Sequence, residues 1–293
     1  MDIKTPGIFA LTDLMTADQL TSFALNVEKH GYGSLWFPEG LGRDPFSVAT
    51  HILTVTKKLI VGTGIANVWK REPISMISAA RTLAEMFPER FILGIGISHG
   101  PMMAQLGYKY EKPVAFMRNY LARMKSAPYM APQPRSEPPI MIAALMPRML
   151  QLAAAQTQGT IPVHTTPEQT ARMRAALGPD KWICVQQVAI LEADAAKARR
   201  AARGALTVYL SLPNYLRSFR DMGFGDPDFA DGGSDRLVDS LIAWGDADAI
   251  RKRVAAHYDA GATEVSVTLA RAEESPAERT LPDEAALRAL APR

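Results

Sequence analysis

Cysteine is nearly absent from these 293 residues: Cys184 stands alone, so neither an intramolecular disulfide nor a cysteine-based metal cluster can form. Its place between Ile183 and Val185 in a strand-like run predicts a buried structural thiol rather than a nucleophile. An excess of one charge is also lacking. With 33 basic against 30 acidic residues and a formal net charge of +3, there is no electrostatic footprint for a nucleic-acid groove or an anionic membrane. The densest basic cluster, Arg199, Arg200 and Arg203, lies in an alanine-rich helical stretch and reads as a solvated helix face rather than a phosphate site. No run approaches the ~20 apolar residues of a membrane span, and Met1-Asp2-Ile3-Lys4-Thr5-Pro6 carries no signal-peptide hydrophobic region. A cytoplasmic protein without membrane or nucleic-acid partners is expected.

What is present is hydrophobic: 47% of the chain, enough for a large core in a single domain over residues 1–293. Apolar runs near 7–11, 34–37, 59–65, 91–97, 139–144, 159–164, 182–190 and 264–269 read as strands, with helical periodicity between most of them. Eight strands alternating with helices predict an α/β fold of the (β/α)8 TIM-barrel type. The first helix places Leu20, Phe23, Ala24 and Val27 on one face and stops at His30-Gly31. Proline at the first helical position marks other starts at Asp44-Pro45, Glu72-Pro73 and Thr166-Pro167, the last with Gln169 completing a capping box. Two stretches, roughly 100–138 and 212–245, are long for connections and predict insertions that act as lids or an interface. The tail from 271 is charged and broken by proline, with a last helix over Ala285 to Leu290.

Strand ends carry the chemistry of such a fold, because the loops that follow them form its C-terminal rim. Three stop abruptly at small or polar residues: Trp36-Phe37-Pro38-Glu39-Gly40, Val61-Gly62-Thr63-Gly64-Ile65-Ala66-Asn67, and Leu93-Gly94-Ile95-Gly96-Ile97-Ser98-His99-Gly100. The last is not a dinucleotide fingerprint: the third glycine would fall at 99, which is histidine, and Pro101 follows where a helix should run. His99 and His164 close strands, whereas His30, His51 and His257 lie in helical patterns. A neutral imidazole can give or take a proton near neutral pH, which makes His99 the acid/base candidate; His164 reads first as a structural rim residue. Glu39 could orient a cofactor or substrate, or form an ion pair with Arg43 or Arg71. Trp36 and Phe37 read as barrel wall, while Trp69, in the loop after the third strand, is a candidate pocket residue. No catalytic metal cluster is expected, since the first strand ends Leu11-Thr12-Asp13 without paired histidines.

The chain resembles the luciferase-like monooxygenase superfamily, in particular its branch of oxidoreductases dependent on the deazaflavin coenzyme F420. The resemblance rests on Ser34-Leu35-Trp36-Phe37-Pro38-Glu39, Gly62-Thr63-Gly64-Ile65-Ala66-Asn67-Val68-Trp69, Arg81-Thr82-Leu83-Ala84-Glu85 with Arg90-Phe91 and Leu93-Gly94, and Ser98-His99-Gly100-Pro101. Lys112-Pro113, Met117-Arg118, Leu212-Pro213-Asn214-Tyr215 and Gly232-Gly233-Ser234-Asp235-Arg236-Leu237-Val238-Asp239 add to it. It implies a barrel with F420 across its C-terminal mouth and a non-prolyl cis peptide behind the ring, which falls at Gly64–Ile65. By the same resemblance, Gly40, Thr63, Gly64, Ile65, Ala66, Asn67 and Ser98 lie near the ring. Ala143, Ala144, Leu145 and Met146, with Gly159 and Thr160, lie near the side-chain phosphate. Sugar-phosphate dehydrogenases of the superfamily have histidine where this chain has Gly40 and glutamate where it has His99, so their substrate does not carry over; relatives are also glycine-rich at Leu145-Met146. The implied activity is hydride transfer between F420 and a small organic substrate by a homodimer, with His99 and Glu39 as the working side chains. An FMN-dependent monooxygenase and a non-catalytic flavin or deazaflavin carrier are the alternatives.

Overall fold

Alternation along the strands builds the molecule from the inside out. In the computed structural model, which describes residues 1–271 and 284–292, the chain opens with β1 (Gly7–Phe9), α1 (Ala17–Lys29), β2 (Ser34–Phe37), α2 (Pro45–Val55), β3 (Ile60–Thr63) and β4 (Ala66–Asn67). Next come α3 (Pro73–Met86), β5 (Phe91–Gly96), α4 (Gly100–Gln105), α5 (Pro113–Lys125), β6 (Ile140–Ile142), α6 (Pro147–Gln156), β7 (Gly159–Thr160) and α7 (Pro167–Leu177). The remainder is β8 (Trp182–Leu191), α8 (Ala195–Leu210), α9 (Pro213–Asp221), α10 (Asp226–Phe229), a 3-10 turn, α11 (Asp235–Leu241), β9 (Ala243–Gly245), α12 (Ala247–Asp259), β10 (Glu264–Ala270) and α13 (Glu284–Ala289). Eight of the strands pair in parallel in the order β10-β1-β2-β3-β5-β6-β7-β8, and β8 pairs with β10 to close the barrel. This is the (β/α)8 architecture expected from the sequence.

One face of the strands fills the barrel: Phe9, Trp36, Ile92, Met141 and Cys184 pack into one buried cluster. The other face, with Leu35, Leu93, Ile142 and Val185, packs with the helices through Leu20, Ile52 and Met76. Cys184 is buried and free, as its apolar neighbours suggested. Within the barrel Glu264 is fully buried; it accepts from Ser34 Oγ and from Trp36 Nε1 at 3.0 and 3.1 Å. Burial pushes its carboxyl up to about 7, against the pull of these hydrogen bonds.

Helix α1 buries Leu20, Phe23, Ala24 and Val27, and starts with a complete reciprocal capping box between Thr16 and Gln19. At α7 the expected box is only half made. Thr166 accepts from Gln169 N, but the Gln169 amide turns away to Asp221 Oδ2 at 3.3 Å. The segment 100–138 is not a featureless insertion: it contains α4 and α5, and α5 buries Met117, Tyr120, Leu121 and Met124 in the ordinary barrel position. The segment 212–245 folds into α9, α10, α11 and β9, which extends β8. Arg199 and Arg203 hold it rather than face solvent. Arg199 bonds Asp239 at 2.6 Å and Asp235 at 2.9 Å, and Arg203 bonds Asp235 at 2.5 Å. The charged tail between 272 and 283 lies outside the described residues. No helix among the described residues is long and apolar enough to cross a membrane.

Candidate active site

The strand ends surround a cavity of about 1710 Å³ at the C-terminal mouth. Its wall changes character at β3. Pairing with β5 stops at Gly62↔Ile92 and resumes at Ala66↔Ile95 in β4. Across the gap Thr63 Oγ1 replaces the ladder, donating to Gly94 O at 2.7 Å and accepting from Gly94 N at 3.0 Å. Gly64 and Ile65 are thereby set out of register into the cavity wall, and the bond between them is cis. Glycine on β5 makes room: a Cβ on Gly94 would stand 1.9 Å from Thr63 O, and one on Gly96 2.7 Å from Ile65 Cγ1.

Glu39 fastens this bulge from β2. Its N–H donates to Ile65 O at 3.0 Å, and its carboxylate accepts from Asn67 N at 2.8 Å. The same carboxylate pairs with Arg71 at 2.6 Å and Lys70 at 3.5 Å, and its side chain is only 3% exposed. Burial would lower the Arg71 pKa, but the hydrogen bonds it donates to Glu39 and Asp44, with their charges, outweigh burial and raise it. Of the two sequence readings, Glu39 is therefore the ion-paired one, with Arg71 and not Arg43 as partner. Gly40 packs on Asp13, whose Oδ2 would lie 2.2 Å from an added Cβ.

Glu39, Gly40, Gly64, Ile65, Ser98, His99, Ala143, Ala144, Leu145 and Met146 all line the cavity. Thr63, Ala66, Asn67, Gly159 and Thr160 stand behind that lining. Asn67 is buried with its amide on Met103 Sδ, and Thr160 Oγ1 donates to Ile142 O at 2.9 Å. A Cβ on Gly159 would meet Trp182 O at 1.9 Å, so that glycine serves strand contact. Trp69 also misses the cavity. It stacks on Phe116 with ring centroids 4.0 Å apart and donates to Ile97 O, fastening the end of β5 to α5. Trp36 is barrel interior.

His99 occupies the N-cap of α4, after Ser98 at φ 53°. Its Nδ1 is buried without a hydrogen-bond partner among the described residues. Burial lowers its pKa, and the hydrogen bond that the ring donates to the Asn214 side chain restores part of that. Sequence reasoning assigned no role to Asn214, Tyr209 and Tyr215, which α8 and α9 bring to the same wall. Asn214 and Tyr215 sit in a block that carries the family resemblance, the one signal that could have marked them. At the rim, Lys112, Arg118, Arg148 and Arg217 are exposed cavity residues with no ion pair among the described residues. Glu39, already neutralised, is the sole carboxylate of the described lining. No three His, Cys, Asp or Glu side chains gather as a metal site among the described residues.

The family model for luciferase-like monooxygenases matches residues 4–264. The chain belongs to that family. A member of Mycobacterium tuberculosis described as a "putative coenzyme F420-dependent oxidoreductase" is 24% identical over 84% of this chain and 89% of its own length. Among solved structures, an F420-dependent secondary alcohol dehydrogenase in complex with an F420-acetone adduct superposes with a TM-score of 0.76 at 15% identity, covering 99% of this chain and 98% of that one. The coenzyme F420-dependent tetrahydromethanopterin reductase of Methanopyrus kandleri follows at 0.72 and 17%, covering 99% and 98%. At these identities the structural likenesses establish the fold.

Proposed function

We propose that this family member is an F420-dependent oxidoreductase acting on a small organic substrate. The observation that carries the reading is the charge of the mouth: Lys112, Arg118, Arg148 and Arg217 stand on the cavity rim without acidic partners among the described residues. Such a rim suits an anionic cofactor tail, and F420, with a phosphate and glutamyl carboxylates, carries more negative charge than FMN. Residues on the wall fit the group as well. Ala143, Ala144, Leu145 and Met146 lead into α6, whose N-terminus has no side-chain cap and leaves backbone donors for a phosphate. Gly64 and Ile65 offer backbone to a flat ring. Bound there, the deazaflavin supplies hydride chemistry.

The chain's own residues supply position, exclusion of water and a proton path. Glu39 acts through Asn67 and Arg71 to hold the bulge, and is a positioning residue. His99, kept neutral by burial, exchanges a proton with the substrate atom that gains or loses one. Fluorescence titration with F420 and FMN tests the cofactor. Micromolar F420 binding that weakens with salt supports the reading. Preference for FMN moves the protein to the monooxygenase alternative, and binding of neither removes the enzyme reading. With a turnover assay in hand, His99→Gln is expected to lower kcat by roughly 10²-fold or more while leaving F420 affinity within about threefold. Equal loss of both quantities would make His99 a binding residue only.

A further inference from the structure

His164 lines the same cavity and stands outside the Gly64–Ile65 bulge. It sits in the loop between β7 and α7 at φ 49° and is only 3% exposed. Both ring nitrogens are buried without a hydrogen-bond partner among the described residues, as is the Oγ1 of its neighbour Thr165. An imidazole left this way loses its hydration and gains nothing in return, so two unmatched nitrogens at a cavity wall mark a place where a ligand group is received. The ring packs edge-on to Tyr209 with centroids 4.0 Å apart, and edge-on to Tyr215 at 6.0 Å. Tyr215 also contacts His99, at 5.4 Å, so the two histidines flank one tyrosine ring.

The surroundings restrict what can be received. Val163, Val188, Ala201, Ala205 and Val208 give the cavity an apolar wall with small side chains on α8. Of the polar lining residues, Gln186 Nε2 donates to Thr268 Oγ1 at 2.9 Å. Burial drives the His164 pKa down to about 3, so its ring is a neutral donor and acceptor and compensates no negative charge. Among the described lining residues Glu39 is the only carboxylate, and it is ion-paired with Arg71. The ring itself therefore suits a hydroxyl or carbonyl, which finds a partner there, better than a charged group, whose charge it does nothing to offset.

We infer that His164 is a substrate-binding residue that hydrogen-bonds the single neutral oxygen function of a ligand with a bulky hydrocarbon body, an alcohol or ketone rather than a phosphorylated or carboxylated compound. The inference deepens the oxidoreductase reading and rests on it for the word substrate; the binding itself is measurable without cofactor. The test is ¹⁵N-histidine NMR on the full chain, with cyclohexanone, cyclohexanol, methylcyclohexane, cyclohexanecarboxylate and cyclohexyl phosphate as probes. The His164 ring resonances, assigned by their loss in His164→Phe, should shift with the ketone and the alcohol and not with the two anions. The same substitution should weaken ketone binding roughly 10-fold and leave methylcyclohexane unaffected. Should His164→Phe fail to fold, Ala205→Leu, which narrows the cavity from α8, should abolish the ketone shift with His164 intact. Unchanged resonances, or equal ketone affinity in the variant, would mean that the nitrogens hold only water and would overturn the inference. F420 titration of the same samples separates the two claims: loss of cofactor binding sinks the oxidoreductase reading, and an absent probe shift with F420 bound sinks this one.

Discussion

Glu39 shows how a side chain that looks catalytic in sequence can be taken up by an ion pair and a backbone amide in the fold. Its carboxylate is 3% exposed and engaged with Arg71, Lys70 and the amide of Asn67. Glu39→Gln would leave Arg71, itself only 17% exposed, with Asp44 alone, and should destabilise the protein by about 3 kcal/mol. Urea denaturation of Glu39→Gln, Arg71→Met and the double variant checks this. The double variant should cost clearly less than the sum, because the pair acts as a unit. Additive losses would show that the two groups are not coupled. The sequence allowed Arg71 as a partner but could not select it over Arg43, because the choice depends on which loop folds back over the bulge.

Among the elements, the interrupted pairing of β3, β4 and β5 shapes the cavity wall, and its requirements are local and steep. Gly94→Ala puts a methyl group against Thr63 O, a backbone atom with no room to move, and should cost at least about 2 kcal/mol, seen as a lowered Tm and loss of F420 binding. Gly100→Ala is the control: its nearest contact would be Tyr110 Cδ1 at 3.4 Å, and its Tm should stay within a few degrees. A similar loss in both would place the effect in glycine replacement itself. The glycines were legible as strand-end signals. The pairing gap bridged by a threonine hydroxyl was not, since a run such as Ile60 to Asn67 has the same apolar character whether or not its ladder is continuous. Likewise, prolines at 101, 113, 128, 132 and 134 suggested an insertion, yet Pro101 and Pro113 start helices α4 and α5.

For the whole molecule, buried titratable groups set the response to pH. His164 and His257 are buried with pKa values lowered to about 3 and about 4; for His257 the largest cause is burial, aided by Arg253. From about pH 6.5 downwards the unfolded chain protonates both while the folded protein does not, so stability falls on acidification. Glu264 acts in the opposite sense. Its raised pKa of about 7 keeps the proton in the folded state between pH 7 and 4.5 while the unfolded chain has lost it, and stability grows as pH falls through that window. Two histidines against one carboxyl leave a net of about one proton, a slope near 1.4 kcal/mol per pH unit between pH 6 and 5. Glu264→Gln removes the opposing term, so denaturant midpoints measured from pH 7 to 5 should fall about twice as steeply in that variant. Parallel curves would show that Glu264 does not hold its proton in the fold.

The sequence by itself determined the barrel, because eight buried strands alternating with amphipathic helices, with no dinucleotide fingerprint, match the closed arrangement, and it determined which strand ends face the mouth. It also placed His99 there and carried the blocks that mark the family. Only the tertiary structure decided that Glu39 braces the bulge, that Trp69 turns to α5, that Arg199 and Arg203 pin the 212–245 segment, and that His164, without a hydrogen-bond partner among the described residues, packs on two tyrosines. The reason is physical. Periodicity reports which face of an element is buried, whereas the partner of a buried polar group depends on residues dozens of positions away and on the loops that carry them past one another.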